Sequence, residues 1–308
     1  MKKNILYILP LMLMALVLTS CEKDEIKEKS VITADSYKQN QFDKWLEVNY
    51  VNPYNIDFKY RYEEIESDYN YYTIPAQMED AIIMAHLVKY LCVETYNEVA
   101  GIDFTRAQFP KMFYLIGTWE FRNNGSYILG TAEGGKKILL AGINELSSHL
   151  GSADELNYYY IKTIHHEFTH ILNQTRDYPT SFRQVTPSSY VKDSQFEEPY
   201  VSNYLKRGFI SAYAQTEPRE DFAEMVSEYV THTAEWWEEQ LEAANTTWDG
   251  DPDQTETGRA FIEQKLDIVK AYMFDTWHID LDELRDCILR RQTNVTEGLI
   301  DLTDLTVE

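Results

Sequence analysis

Hydrophobic positions change their spacing several times along the chain, and each spacing predicts a different element. Ile5 to Leu18 is an apolar run interrupted only by Pro10, with Lys2 and Lys3 ahead of it and small polar residues behind. It is too short to span a bilayer comfortably and has the charge order of an export signal. From Glu22 to about Ser36 charge replaces apolar periodicity, as in a tether. Between Tyr37 and Tyr72 tyrosines alternate with charges, which reads as amphipathic packing of a helix-poor segment; an aromatic glycan platform is the other reading. After Pro75, the positions of Ala81, Ile82, Ala85, Val88, Leu91, Cys92 and Val99 predict a helix from Glu79 to Val99 that stops at Gly101. His86 on it is expected in the core or at its rim. Residues 111–117, 126–131 and 136–142 are strand-like, the last two joined by a reversal containing Gly134 and Gly135, so a small antiparallel sheet is expected. Its edge strand either only packs on the following helix or accepts an extended peptide.

Helical spacing returns from Leu156 to Asn173. Pro179, Pro187 and Pro199 then break residues 177–202 into a long loop, expected to wall a cleft. Further helices are expected over 220–244, 258–277 and 281–291, the last capped by Asp280 with Glu283. Asp249 to Gln254 reads as a solvated acidic turn. One small sheet among many helices makes an α+β domain over residues 37–308, after a signal over 1–20 and a tether over 21–36.

The helix over 156–173 carries the chemistry. His166-Glu167-Phe168-Thr169-His170 places two imidazoles one turn apart on one helix face, where both can reach one Zn²⁺ at about 2.0–2.1 Å. Glu167 is placed to act as general base on a water held there, which implies metal-assisted hydrolysis. Ile161, Ile164, Phe168, Ile171 and Leu172 form the opposite, apolar stripe. His165 falls at the edge of that stripe and is expected to be a hydrogen-bonded core histidine.

A hydrolytic zinc site needs a third protein ligand and an open position. Positions 173 and 176, where a metzincin carries glycine and histidine, hold Asn173 and Arg176. Thermolysin-like spacing would place a glutamate near 189 or 190, where Ser189 and Tyr190 stand. Further on, Glu220 and Glu224 lie one turn apart, opposite an apolar stripe of Phe222, Met225, Val226, Tyr229 and Val230. One of the two is expected to bind zinc, and the other to accept a hydrogen bond from a ligating histidine.

Charge and cysteines narrow the setting. A formal charge of −23 over 308 residues argues against nucleic acid as a partner. Leu18-Thr19-Ser20-Cys21 resembles a bacterial lipobox, in which the signal is removed and Cys21 is lipidated; an acidic Glu22-Lys23-Asp24-Glu25 follows. Attachment to the outer membrane is expected, facing either the cell surface or the periplasm. Cys92 and Cys287 either pair or remain buried thiols.

Several stretches together resemble one family. Gly208 to Ala214 and Pro218 to Glu224 resemble gluzincin metallopeptidases related to anthrax lethal factor. With the lipobox, Gly130 to Ile138, the HEFTH helix and Ile279 to Arg285, the chain is similar to the substrate import-associated zinc metallohydrolase lipoproteins of the Bacteroidetes, a putative zinc-binding metallopeptidase family. That resemblance implies a zincin-like fold and one Zn²⁺ per chain held by His166, His170 and Glu220, with Glu224 behind a histidine and Tyr213 over the metal. It implies a peptide or protein substrate and outer-membrane uptake proteins as neighbours. The other class of function is a surface glycan- or peptide-binding lipoprotein whose zinc site is structural or vestigial.

Overall fold

The computed structural model describes residues 38–66, 70–121, 127–133, 136–192 and 197–307. The apolar leader, Cys21 and the tether lie outside these residues, as do Ser126, Gly134 and Gly135. One compact unit extends from Asn40 to Glu308. Among the described residues, no helix is long and apolar enough to cross a membrane.

The first element corrects an expectation. Helix α1 (Gln41–Leu46) runs through a π-helical turn, Glu47–Val51, into Asn52–Tyr54. Asn40 starts it with a capping box: its side chain accepts from the Asp43 amide, and the Asp43 carboxylate accepts from the Asn40 amide. Phe42, Trp45, Leu46 and Tyr50 fall on one helical stripe and are all buried. Residues 41–54 are therefore helical, whereas the described residues from 55 to 72 hold only a short strand and one 3-10 turn, Glu64–Glu66; Tyr50, Tyr54 and Tyr60 serve packing.

Helix α2 (Met78–Leu87) continues through Val88–Val93 and Glu94–Ala100, covering the expected helix up to Gly101. His86 sits at the rim: it bonds the carbonyls of Ile82 and Asp304 and stacks on Trp45. A short α3 (Ile102–Gln108) leads to the sheet.

Four strands, β1 (Asp57–Lys59), β2 (Met112–Leu115), β5 (Gly130–Glu133) and β6 (Lys137–Leu140), pair in the order β1-β2-β6-β5. β5 and β6 are antiparallel, as expected, but the strand expected over 126–131 divides: Tyr127–Ile128 pairs elsewhere, and the strand beside β6 runs from Gly130 to Glu133. The sheet as a whole is mixed, because β1 with β2 and β2 with β6 pair in parallel. The expected all-antiparallel sheet is corrected on this point, and the apolar run over 111–117 gives the reason. A strand covered on both faces suits a parallel interior position. Phe113, Leu115, Ile138 and Leu140 point into the main core, whereas Tyr114, Ile116 and Leu139 join a smaller cluster on the opposite face. β3 (Glu120–Phe121) and β4 (Tyr127–Ile128) form a separate two-stranded ribbon.

After short helical turns at Ile143–Glu145 and Leu146–His149, a helix starts at Ala153–Leu156, passes through a π-helical turn, Asn157–Ile161, and becomes α4 (Lys162–Thr175). Its stripe of Ile161, Ile164, Phe168, Ile171 and Leu172 is buried. β5 lies directly against this helix: a Cβ built on Gly130 would come within 2.7 Å of Thr163 Cγ2, so only glycine permits the approach. The expected helix over 220–244 is two, α5 (Pro218–Thr231) and α6 (Ala234–Ala243), because Thr233 leaves the helical conformation and caps the Trp236 amide. Helix α7 (Gly258–Trp277) matches its expected bounds. Helix α8 (Leu281–Thr296) is capped by Asp280, which accepts from the amides of Asp282 and Glu283. Cys92 and Cys287 are both free and buried.

Candidate metal centre

Helices α4 and α5 face each other through two polar stripes with a four-residue period. Lys162, His166 and His170 project from α4; Glu220, Glu224 and Glu228 project from α5. At one end of this seam, His166 Nε2 lies 3.0 Å from His170 Nε2 and 3.0 Å from Glu220 Oε2, and His170 Nε2 lies 3.2 Å from the same oxygen. Four-coordinate zinc with bonds of about 2.0–2.1 Å separates neighbouring ligand atoms by roughly 3.3 Å, so the three donors are spaced to converge on one such ion. Two imidazole nitrogens and a carboxylate oxygen are also the donor types that zinc takes in catalytic sites.

Behind this trio, Glu224 Oε1 accepts from His166 Nδ1 at 2.7 Å, and its second oxygen accepts from Ser211 Oγ at 2.6 Å and Lys162 Nζ at 3.2 Å. Lys162 also reaches Glu228 at 2.9 Å. The sequence alone assigns no role to Lys162, Ser211 and Glu228, although Lys162 and Glu228 continue the four-residue spacing of the histidines and glutamates.

The electrostatics suit a cation. Burial works against charge on His166, yet hydrogen bonds to Glu220 and Glu224 outweigh it and push its pKa up to about 10. Burial also opposes ionisation of Glu220 and Glu224. Bonds from His166 and His170 hold the first well below the usual carboxylate range, and the Lys162 charge with His166 does the same for the second. His165 behaves oppositely: fully buried, with Nδ1 3.1 Å from the Tyr96 hydroxyl, it is pushed down to about 3 and stays neutral in the core.

Tyr213 stands beside the trio, its ring centre 5.9 Å from that of His166. Partial burial and the carboxylates of Glu220, Glu224 and Glu167 hold its phenol well above the ordinary range, so it remains protonated. Glu167 is half-buried next to the first histidine, and its charge acts on both His166 and Tyr213.

The start of α5 is held from behind. Asp221, fully buried, accepts from Lys265 Nζ at 2.7 Å and from the Tyr190 hydroxyl at 2.7 Å. Lys265 donates in turn to the Gly208 carbonyl at 2.8 Å. Gly208 has φ +86, and a Cβ there would meet Phe261, so this turn needs glycine. Tyr178 and Phe182, from the long loop over 177–202, pack on Phe222 of α5. The loop thus fastens the apolar face of α5; its residues 193–196 lie outside those described.

Residues 35–282 match the family described as "Putative zinc-binding metallo-peptidase". The chain belongs to that family. A crystal structure of a putative zinc-binding metallo-peptidase from Bacteroides caccae is 39% identical and superposes with a TM-score of 0.71, over 90% of this chain and 100% of that one. No curated protein matches. The mixed, mostly helical fold is therefore shared with a protein of the same family designation, and the family's zinc agrees with the donor set.

Proposed function

We propose that the protein is a zinc-dependent metallopeptidase with a zincin-like catalytic domain, exported and held at a membrane by a lipidated Cys21. The convergence of His166 Nε2, His170 Nε2 and Glu220 Oε2 to within 3.2 Å of one another carries this reading. These three residues would hold one Zn²⁺ per chain, which would supply the Lewis acidity for making a water nucleophilic near neutral pH and polarising the scissile carbonyl. Glu167 takes the proton from the attacking water and returns it to the leaving amine. Tyr213, kept protonated by its surroundings, donates a hydrogen bond to the developing oxyanion. Glu224 accepts the Nδ1 proton of His166 and so turns the lone pair of Nε2 toward the metal position.

An extended peptide or protein segment is the substrate. β5 is the edge of the four-stranded sheet and lies against α4, which is where such a segment can add as a further strand. The lipobox-like residues 18–21 and the acidic stretch after them support an outer-membrane lipoprotein exposed at the cell surface, with uptake proteins as its neighbours.

Elemental analysis of the purified protein beside His170→Ala and Glu220→Ala tests the reading. One zinc per chain in the parent and strong depletion in both variants are expected. A parent that takes up no zinc after supplementation, or Glu220→Ala with its zinc undiminished, overturns the ligand set.

A further inference from the structure

The polar seam between α4 and α5 does not end at Lys162. One turn further from the metal donors it opens into a cavity of about 580 Å³, lined from one side by Asp154, Glu155, Tyr158 and Tyr159 and from the other by Glu228, His232 and Trp236. Three of these lining side chains, Tyr158, Tyr159 and Trp236, are large aromatics. Trp236 stacks on His232 with ring centres 3.9 Å apart, and Tyr158 and Tyr159 meet edge to face at 4.8 Å.

The charge in this wall is unbalanced. Three carboxylates, Asp154, Glu155 and Glu228, line the cavity with one ammonium, Lys162, and one imidazole, His232, whose Nδ1 lies 3.2 Å from Glu228. That ammonium is already engaged by two buried carboxylates, Glu228 and Glu224. Asp154 and Glu155 are exposed at the rim, and Glu155 also meets His149 Nδ1 at 3.1 Å. An aromatic enclosure with excess negative charge recognises a cation that also has flat or apolar surface, through cation–π contact and charge-assisted hydrogen bonds.

We propose that this cavity is a subsite for a guanidinium or alkylammonium group, presented by an arginine or lysine of the peptide substrate. Its place in the substrate rests on the metallopeptidase reading above. Lys162 precedes His166 by one turn, about 5.4 Å of helix, and Tyr158 precedes Lys162 by roughly another. An extended chain advances about 3.3 Å per residue, so a basic residue about two to four positions from the cleaved bond reaches the cavity. The subsite selects substrate by charge, and Lys162, bonded on its other side to Glu224, is the side chain shared by the cavity and the metal centre.

Binding is tested without turnover, by titrating N-acetyl-arginine amide and N-acetyl-citrulline amide into the zinc-supplemented full chain carrying Glu167→Gln. Citrulline keeps the shape of arginine and removes its charge. The arginine amide is expected to bind saturably and about tenfold more tightly than the citrulline amide, in line with a cation–π and carboxylate contact. Asp154→Asn with Glu155→Gln, both at exposed positions, should remove most of that difference, and Trp236→Ala should weaken the arginine amide further. Equal binding of the two amides, no binding of either, or an unchanged preference in the acidic double variant overturns the subsite. An active parent that cleaves peptides with no preference for arginine or lysine near the bond also overturns it. Arginine-selective binding in a parent that cleaves no peptide would leave the cavity assigned and overturn the peptidase reading alone.

Discussion

Glu224 stands 2.7 Å behind Nδ1 of His166, so the other nitrogen of that ring is the one turned toward Glu220 and His170. A carboxylate in this position fixes the tautomer and raises the basicity of the ring. Glu224→Ala removes that support and leaves the Lys162 ammonium with Glu228 as its remaining carboxylate partner. Zinc affinity should fall about 10- to 100-fold with the ligand set intact. Competition against a chromophoric chelator measures this, and an affinity equal to that of the parent would remove Glu224 from the site.

Glu167 separates the two classes of function. Glu167→Gln keeps the size and polarity of the side chain and cannot accept a proton. As a peptidase, the variant should retain one zinc per chain and lose about 10²- to 10⁴-fold in turnover. In a binding lipoprotein with a structural site, zinc and ligand binding should both match the parent. Elemental analysis and a peptide-library assay on the same preparation read both quantities.

Tyr213 is 41% exposed beside the trio, so its hydroxyl can be removed with little loss of packing. Tyr213→Phe should lower kcat by about 10²- to 10³-fold, as loss of one oxyanion donor does, with KM nearly unchanged. A rise in KM at constant kcat would instead make Tyr213 a substrate-binding residue.

Much of this arrangement was legible because local chemistry marks it. The helix over 258–277 is bounded by Thr257, which caps the Ala260 amide, and by His278 in the left-handed conformation. The faces of α4 and α5 follow from a period of 3.6 residues, and that period places the histidines opposite the buried stripe. Parallel pairing was not legible: β1 joins β2 across more than fifty residues of chain, and its three residues carry no signal of their own among the tyrosines. The break between α5 and α6 was marked by Thr233, a capping residue three positions before Trp236, but the charged and apolar pattern runs through it. The role of Lys162 was not legible, because its partners come from a helix more than sixty residues later.

Asp221 and Lys265 form a fully buried ion pair that anchors the first turn of α5, next to Glu220. Burial pushes the Asp221 carboxyl up and the Lys265 ammonium down, and each opposes the other's shift. Asp221→Asn leaves a buried ammonium without its countercharge and should cost about 3–5 kcal/mol of stability by urea unfolding. Asp221→Asn combined with Lys265→Met should recover a large part of that loss. A double variant no more stable than Asp221→Asn would place the cost in lost packing rather than in the unpaired charge.

A second ion cluster ties the end of the helix over 94–100 to α8 and sets a pH dependence. Glu98 accepts from Arg290 at 2.7 Å and from Arg291 at 3.0 Å, and these bonds lower its pKa from 4.5 to about 2. A carboxylate whose folded pKa is depressed stabilises the fold fully above its unfolded value. That contribution fades as pH falls from about 4.5 through about 2. The Glu98 side chain is 42% exposed, so solvent screening limits the effect to about 1 kcal/mol or less. Glu98→Gln should therefore be slightly less stable than the parent at pH 7, with the gap narrowing between pH 4.5 and the acid limit of folding and shrinking in high salt. Paired urea titrations from pH 3 to pH 7 would show this, and a gap that widens on acidification would mean that Glu98 is not held by the two arginines.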